Sequence, residues 1–533
     1  MHACLNMDEI VRLIACELVV SRAEATTVAL ACCHKGFEDP VLDALWETQE
    51  HLLPLLKSLP EDVWNEGGCT VSAPTLPTLS SLNYLVLKSF KRLPTTQEWT
   101  RFREYARRMR KLGGSGALQS AWSPVLSVLQ SYAVNESLLP NLKILDLRPD
   151  KELVPFIPLF ISPRTSIIRV WDFQSNLPKA MVASMIANFP TRCPNLQEIT
   201  LYFLPSDPMV AAAVSGILLT NNRYALRCFR VDSPLTEEAH QVIWNLPDLR
   251  NLSVVIEKDV SLPSVVLPNL TNLEVKYDHD NDLLRVFHGA TFGKLAAVTL
   301  HSGSKQIGDF LEAFERVALA ASVQNTLSNF SLYTQRPWNP NHSSLLPFTQ
   351  LTMLDVQFPC RDGCSSTVDD DVITNLARAM PRLRILELGD PPCHDISIGV
   401  TAKGLMILAN HCPNLHTLCV HLQVDSLCVP PAISEVPPGT RFTALRRDCT
   451  LSDLVVGEIP LSEESVPTIA LTLAHIFPHI ESIDYSDENW DKVMDAICNS
   501  REIINRSSEE HPHSIPRSNL SDTSPGATLE GVI

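Results

Sequence analysis

Apolar residues follow two different rhythms along this chain. In residues 1–46, MHACLNMDEIVRLIACELVVSRAEATTVALACCHKGFEDPVLDALW, they recur at helical spacing: Ile10, Leu13, Ile14 and Leu18, then Val28, Leu30, Cys33 and Phe37, then Leu42, Leu45 and Trp46. The spacing predicts three short amphipathic helices in about 50 residues, too few to bury a full core unaided, so apolar surface is expected to remain for another protein.

From residue 76 the rhythm changes to a phrase, Pro-x-Leu-x-x-Leu-x-Leu, that returns with conservative swaps. It reads PNLKILDL ending at Leu147, PNLQEITL at Leu201, PDLRNLSV at Val254, PNLTNLEV at Val275, PRLRILEL at Leu388, PNLHTLCV at Val420 and PHIESIDY at Tyr485. Copies without the proline are LSSLNYLVL to Leu87, TSIIRVWDF around Val170, ALRCFRV to Val231, GKLAAVTL to Leu300, NTLSNFSL to Leu332 and TQLTMLDV to Val356. Most copies stand 21 to 35 residues apart. The alternating end of each phrase predicts a short strand with its leucines on one side. Between most copies lies a helical pattern, as in Ala180 to Ala187, Glu237 to Trp244, Asp371 to Ala379, Ala402 to Leu408 and Ser465 to His475. A strand and a helix of this size cannot bury their own apolar faces, so neighbouring repeats must stack. The predicted fold is α/β, with parallel strands inside and helices outside.

Residues 47–75 carry Leu52, Leu53, Leu55, Leu56 and Leu59 and predict a packed helical connector. The repeats are expected over 76–505, interrupted by a proline-rich loop at 427–441, and the Ser- and Pro-rich tail 506–533 is expected to be disordered. A net charge of −17 argues against phosphate backbones as partners, so nucleic acid is not expected. The basic run Arg101 to Lys111 follows a capping box at Thr95 and Glu98, and its arginines are expected to be the solvated face of a helix whose buried stripe is Trp99, Phe102, Ala106 and Met109. The longest apolar run, Met209 to Leu219, is too short to span a membrane, and Asp8 and Glu9 interrupt any signal segment. With no such signal, fifteen cysteines are expected to be reduced thiols in the cytoplasm or nucleus.

The order Asp8-Glu9-Ile10, Leu13-Ile14, Leu18, then Leu30-Ala31-x-Cys33-x-x-Phe37, then Pro40, Leu42 and Leu45-Trp46 resembles an F-box, most closely those numerous in mushroom-forming fungi. Asn6-Met7 stands where that family usually opens with Leu-Pro. The repeats resemble an irregular leucine-rich-repeat horseshoe, of the kind that follows an F-box in many ligase receptors. The resemblance implies a non-catalytic substrate-recognition subunit of a Skp/cullin/F-box-type ubiquitin ligase. Ile10, Leu13, Ile14, Leu18, Leu30, Phe37 and Trp46 would supply the adaptor contacts and the core beneath them. The alternative is a leucine-rich-repeat interaction scaffold whose N-terminal helices merely cap the repeats.

Catalytic signatures are missing: there is no Gly-x-Gly-x-x-Gly, Walker loop, Gly-x-Ser-x-Gly or His-Glu-x-x-His, and no cofactor is expected. Cys360 and Cys364 have a metal-like interval without a second pair, Cys393-His394 and His411-Cys412 are isolated, and Asp369-Asp370-Asp371 suits a helix N-terminus. No metal site is expected. In each phrase, the residue between the last two apolar positions and the one after the phrase should face away from the core. This selects Arg230, Asp232, Glu274, Lys276, His301, Tyr333, Asp355, Gln357, Glu387 and His421 as a candidate surface for a target protein, with Tyr333 and Arg230 as its anchors.

Overall fold

The computed structural model describes residues 8–69, 84–113, 123–132, 137–148, 153–171, 177–202, 204, 207–220, 226–257, 266–279, 291–303, 314–315, 323–334, 342–358, 368–389, 399–428, 449–457, 459–485 and 487–509. The chain divides into two compact units, Met1–Thr367 with Asn375–Asp390, and Val368–Thr374 with Pro391–Ile533.

The first unit opens with α1 (Asp8–Val20), α2 (Glu24–Cys33) and α3 (Lys35–Glu47), followed by β1 (Thr48–Gln49) and α4 (Leu53–Leu56). Next come β2 (Trp64–Cys69), β3 (Tyr84–Phe90), α5 (Thr96–Ala106), β4 (Lys111–Gly113) and α6 (Ser123–Tyr132). Then follow β5 (Ile144–Leu147), β6 (Ile167–Val170), α7 (Lys179–Ala187), α8 (Phe189–Arg192), β7 (Glu198–Leu201), α9 (Pro208–Leu219), β8 (Cys228–Pro234), α10 (Glu237–Ile243) and β9 (Asn251–Ile256). The remaining strands are β10 (Val266–Leu267), β11 (Asn272–Tyr277), β12 (Thr291–Phe292), β13 (Ala297–Ser302), β14 (Asn329–Thr334), β15 (Met353–Gln357) and β16 (Ile385–Leu388). In this unit the sheet order is β1-β4-β5-β6-β7-β8-β9-β11-β13-β14-β15-β16, and every neighbouring pair is parallel. The second unit holds β17 (Thr417–Val420), β18 (Asp453–Gly457) and β19 (Ser482–Tyr485), parallel in that order, with helices Ala402–His411, Val466–Ile476 and Asn489–Glu509. The fold is α/β with a large parallel sheet.

One hydrogen-bond device recurs from β4 to β16 and again from β17 to β19. The carbonyl just before a strand accepts two successive amides from the next repeat. Arg110 takes Lys143 and Ile144 at 2.7 and 3.0 Å, Thr271 takes Ala296 and Ala297 at 2.8 and 2.9 Å, and Thr352 takes Arg384 and Ile385 at 2.7 and 3.1 Å. Within the second unit Ser452 takes Glu481 and Ser482 at 2.7 and 3.0 Å. The apolar side of the strands is buried throughout: Leu142, Leu145, Leu147, Leu383, Leu386 and Leu388 are all core. Outer helices pack on one another in chain order, α7 on α9 and α9 on α10. Asp207 and Thr236 cap α9 and α10 with their side chains, which satisfies amides that the helices cannot.

Several expectations are corrected. The phrase LSSLNYLVL does not join the parallel sheet; β3 pairs antiparallel with β2. Two further copies of the phrase are present instead, Leu451-x-x-Leu454-x-Val456 at β18 and a clipped Met109-x-x-Leu112 at β4, with all five apolar residues buried. The clipped copy ends at Gly113 (φ +122°), where a Cβ would fall 1.6 Å from the Asp146 carbonyl oxygen, so only glycine lets β4 approach β5. Arg101, Arg103 and Arg107 are exposed, but Arg108 turns back to bind Asp39 and Asp43 of α3. Residues 506–509 continue the last helix, while 510–533 lie outside the described residues. Of the connector, Leu52, Leu55, Leu56 and Leu59 are buried, and its helical parts are Leu53–Leu56 and a 3-10 turn at Glu61–Val63; 70–75 lie outside the described residues, as do 429–441 of the proline-rich loop.

Leu386 is fully buried on β16. Leu386→Ala is expected to lower unfolding free energy by about 2–5 kcal/mol, the usual cost of the lost burial plus a cavity. Denaturant titration checks this; an unchanged midpoint would place the residue outside the packed core.

Candidate recognition face

Two surfaces carry the residues that the sequence singles out. On the N-terminal helices, Val11, Ala15, Phe37, Val41 and Ala44 form the core, with Leu30 and Leu45 packed against it. α1 is apolar nearly all round, so its periodicity admits two inward faces, and the helix turns Val11 and Ala15 inward. Leu13 and Ile14 are left 66% and 40% exposed, and Val20 and Val28 stand out at 78% and 51%. Ile10, Leu18 and Trp46 are half-buried, and Trp46 stacks on Tyr105 of α5 with ring centroids 4.6 Å apart. Arg12 donates to Glu47 at 2.7 Å and ties α1 to α3. Arg108 and the Trp46–Tyr105 stack fix these helices to the start of the sheet.

The second surface is the polar side of the strands. Register places Asp146, Arg169, Thr200, Arg230, Ser253, Glu274, Thr299, Ser331, Asp355 and Glu387 side by side across β5 to β16. A second row runs Lys276, His301, Tyr333, Gln357. Strands of a sheet stand about 4.8 Å apart, so long side chains in one row touch. His301 and Tyr333 stack at 4.7 Å and 11°, and the Tyr333 hydroxyl donates to Asp355 Oδ2 at 2.7 Å. His301 Nε2 lies 3.3 Å from Glu274 Oε1. Lys276 Nζ sits 5.8 Å from the Tyr202 ring centre, within cation–π range. Arg169 Nε donates to Glu198 Oε1 at 2.6 Å, and Asp146 Oδ1 accepts from Trp171 Nε1 at 2.8 Å. Trp171 in turn stacks on Tyr202 at 5.2 Å.

Glu274, Lys276, His301, Tyr333, Asp355, Gln357 and Glu387 are thus brought together, and Arg230 shares their row. Asp232 follows a register shift in β8 and accepts from the Leu204 amide at 3.0 Å. Asp355 is only 2% exposed, lying beneath its neighbours. His421 belongs to the second unit, where its carbonyl accepts from the Val400 amide. Trp171 and Tyr202 were missed, although each directly follows a phrase, at Val170 and Leu201, and the rule that selected Tyr333 applies to both.

Beside the second row, a pocket of about 460 Å³ opens at the C-terminal ends of β8, β9, β11, β13 and β14, lined by Asp232, Glu257, Lys276, Asp278, His301 and Tyr333 among others. Burial raises the Glu274 carboxyl, but His301, Lys276 and Ser253 outweigh it and hold it below the ordinary carboxylate range. Burial and then repulsion from Asp355 push Glu387 up. Burial also pushes up Asp355, and the Tyr333 bond recovers only part of that.

Nothing in this arrangement resembles an activated nucleophile. Burial pushes the Cys193 and Cys412 thiols up to about 12, well away from the thiolate form. The Asp369 carboxylate caps its helix through the Asp371 and Val372 amides, and Asp370 accepts from the Thr401 amide and hydroxyl at 2.9 and 2.6 Å. Among the described residues no group of three His, Cys, Asp or Glu could hold a metal. The intervals Cys360–Cys364 and Cys393-His394 lie outside the described residues. Among the described residues, no helix is long and apolar enough to cross a membrane. No protein-family model matches the sequence, and no curated protein matches it either.

A carboxyl raised in the fold contributes most to stability below its unfolded value, and that contribution is lost as pH rises through its folded value. Glu387→Gln therefore removes a penalty that exists only when the carboxyl is ionised. The variant should melt above the wild type at about pH 7, and the gap should close as pH falls below about 4.3, the ordinary glutamate value, where the carboxyl is protonated in the unfolded chain as well. Melting curves across that range check this; a gap that is constant with pH would contradict the repulsion between Asp355 and Glu387.

Proposed function

We propose that this protein is the substrate-recognition subunit of a Skp/cullin/F-box-type ubiquitin ligase. The observation that carries the reading is the set of large apolar residues that α1 and α2 leave exposed. Leu13, Ile14, Val20 and Val28 are four of the nine large hydrophobic residues exposed among those described, and all four fall within 16 residues of chain. Surface apolar groups gathered in one place mark an interaction site, whereas scattered ones do not. This face takes a Skp-type adaptor, and through it a cullin. The repeats form a leucine-rich-repeat horseshoe whose polar strand face holds a target protein. The subunit makes no bond itself; it raises the effective concentration of a target lysine near the ubiquitin thioester. Such a complex works in the cytoplasm or nucleus.

The ties between α3 and α5 support this reading as well. A receptor has to hold its target at a fixed distance from the adaptor, and Arg108 and the Trp46 stack suit that need. A scaffold with no ligase attached is the second reading, in which α1 to α3 serve only as a cap on the repeats.

Leu13→Asp with Ile14→Asp separates the two. Both residues are exposed, so thermal stability should hold, while co-purification with a Skp-type adaptor should weaken by about tenfold or more, as at other interface anchors. Undiminished adaptor capture by the double variant would contradict the ligase reading.

A further inference from the structure

The pocket beside Lys276, His301 and Tyr333 has a chemistry that defines what it can hold. Its volume, about 460 Å³, suits one long side chain with its flanking backbone. Three carboxylates line it, from Asp232, Glu257 and Asp278, with the Tyr333 ring as part of its wall. Its two basic groups are already engaged: Lys276 lies by the Tyr202 ring, and His301 is held between Glu274 and Tyr333. Glu257 and Asp278 are exposed, and neither pairs with a cation among the described residues. Tyr333 joins the pocket wall to Asp355, whose register neighbour is Glu387, so acidic groups continue along the row.

We infer that this pocket recognises an arginine side chain on an extended, basic segment of the target protein. The guanidinium packs against the aromatic wall and bonds to Glu257 and Asp278, while its neighbours in the segment run toward Glu387. A planar, weakly hydrated guanidinium suits a carboxylate-and-ring pocket better than an ammonium does. An anionic partner, such as a phosphorylated segment or a nucleic acid, meets like charge here. The inference rests on the polar strand face being the target-holding surface.

Fluorescence anisotropy on the full chain tests it, with a labelled Gly-Arg-Gly-Arg-Gly peptide and its citrulline counterpart as probes. Citrulline keeps the shape and removes the charge. The arginine peptide should bind about tenfold or more tighter than the citrulline one, and Glu257→Gln with Asp278→Asn should remove most of that preference. Because the chain is acidic overall, Glu104→Gln with Glu464→Gln serves as a control that removes the same charge from exposed sites elsewhere. It should leave the preference within about twofold. Equal losses in both double variants, or no preference in the wild type, would overturn the inference. Adaptor co-purification is a separate readout: its retention beside a failed peptide test sinks the arginine pocket alone, and its loss beside a successful one sinks the ligase reading alone.

Discussion

The first unit depends on one shared kind of acceptor, the carbonyl that precedes each sheet strand from β4 to β15 and takes two consecutive amides from the next repeat. Neither a four-residue strand nor a short helix is stable alone, and parallel pairing requires long crossovers, so each repeat contributes little by itself. The double bond sets where every strand begins relative to its neighbour. Once Thr271 holds Ala296 and Ala297, Leu273 must lie beside Val298 and Val275 beside Leu300, and the apolar side chains close into one continuous core. A slip by one residue would turn every leucine outward, which is why this register is so strongly specified. Hydroxyls reinforce the device: Thr271, Ser328 and Thr352 donate their side-chain protons to the same acceptor at 3.0, 3.0 and 3.1 Å.

The same register creates the polar face, and with it some electrostatic cost. Residues that leave the core are forced into rows one strand apart, where each is a lateral neighbour of the next. Complementary neighbours lock within a row, as Arg169 with Asp146 and His301 with Tyr333, or diagonally across rows, as Arg169 with Glu198 and His301 with Glu274. Asp355 and Glu387 are not complementary. A stack chosen for stability alone has no need of two acids side by side in a half-buried row. Their juxtaposition costs stability, since burial and then repulsion from Asp355 push the Glu387 carboxyl up.

The sequence made the repeat legible because one phrase both starts a strand and fills the core. Its apolar positions identified the strands at β5 to β9, β11, β13 to β17 and β19. It failed where the phrase was shortened or its context differed, and it passed over the full copy Leu451-x-x-Leu454-x-Val456 at β18. Met109-x-x-Leu112 lacks a third apolar residue because Gly114 stands at that position, and the residue before it, Gly113, must pass against the Asp146 carbonyl. LSSLNYLVL has the right spacing, yet its strand finds an antiparallel partner in β2 close by in the chain. In α1 the helix itself was plain, but its orientation was not, since Ile10, Leu13 and Ile14 form as good a stripe as Val11 and Ala15. Of the candidate site, strand alternation picked out the right face and most of its groups. The pocket escaped notice because Glu257 and Asp278 stand three residues past the last apolar position of their phrases, beyond the two positions that strand alternation selects.

Amide hydrogen exchange of the full chain, resolved to single residues, tests the stacking most directly. If the shared carbonyl sets the register, both amides of each pair exchange far more slowly than exposed backbone: Lys143 with Ile144, Ala296 with Ala297, Arg384 with Ile385. They should also do so at similar rates within a pair. Fast exchange of either partner across these steps, with the helices still protected, would contradict the account.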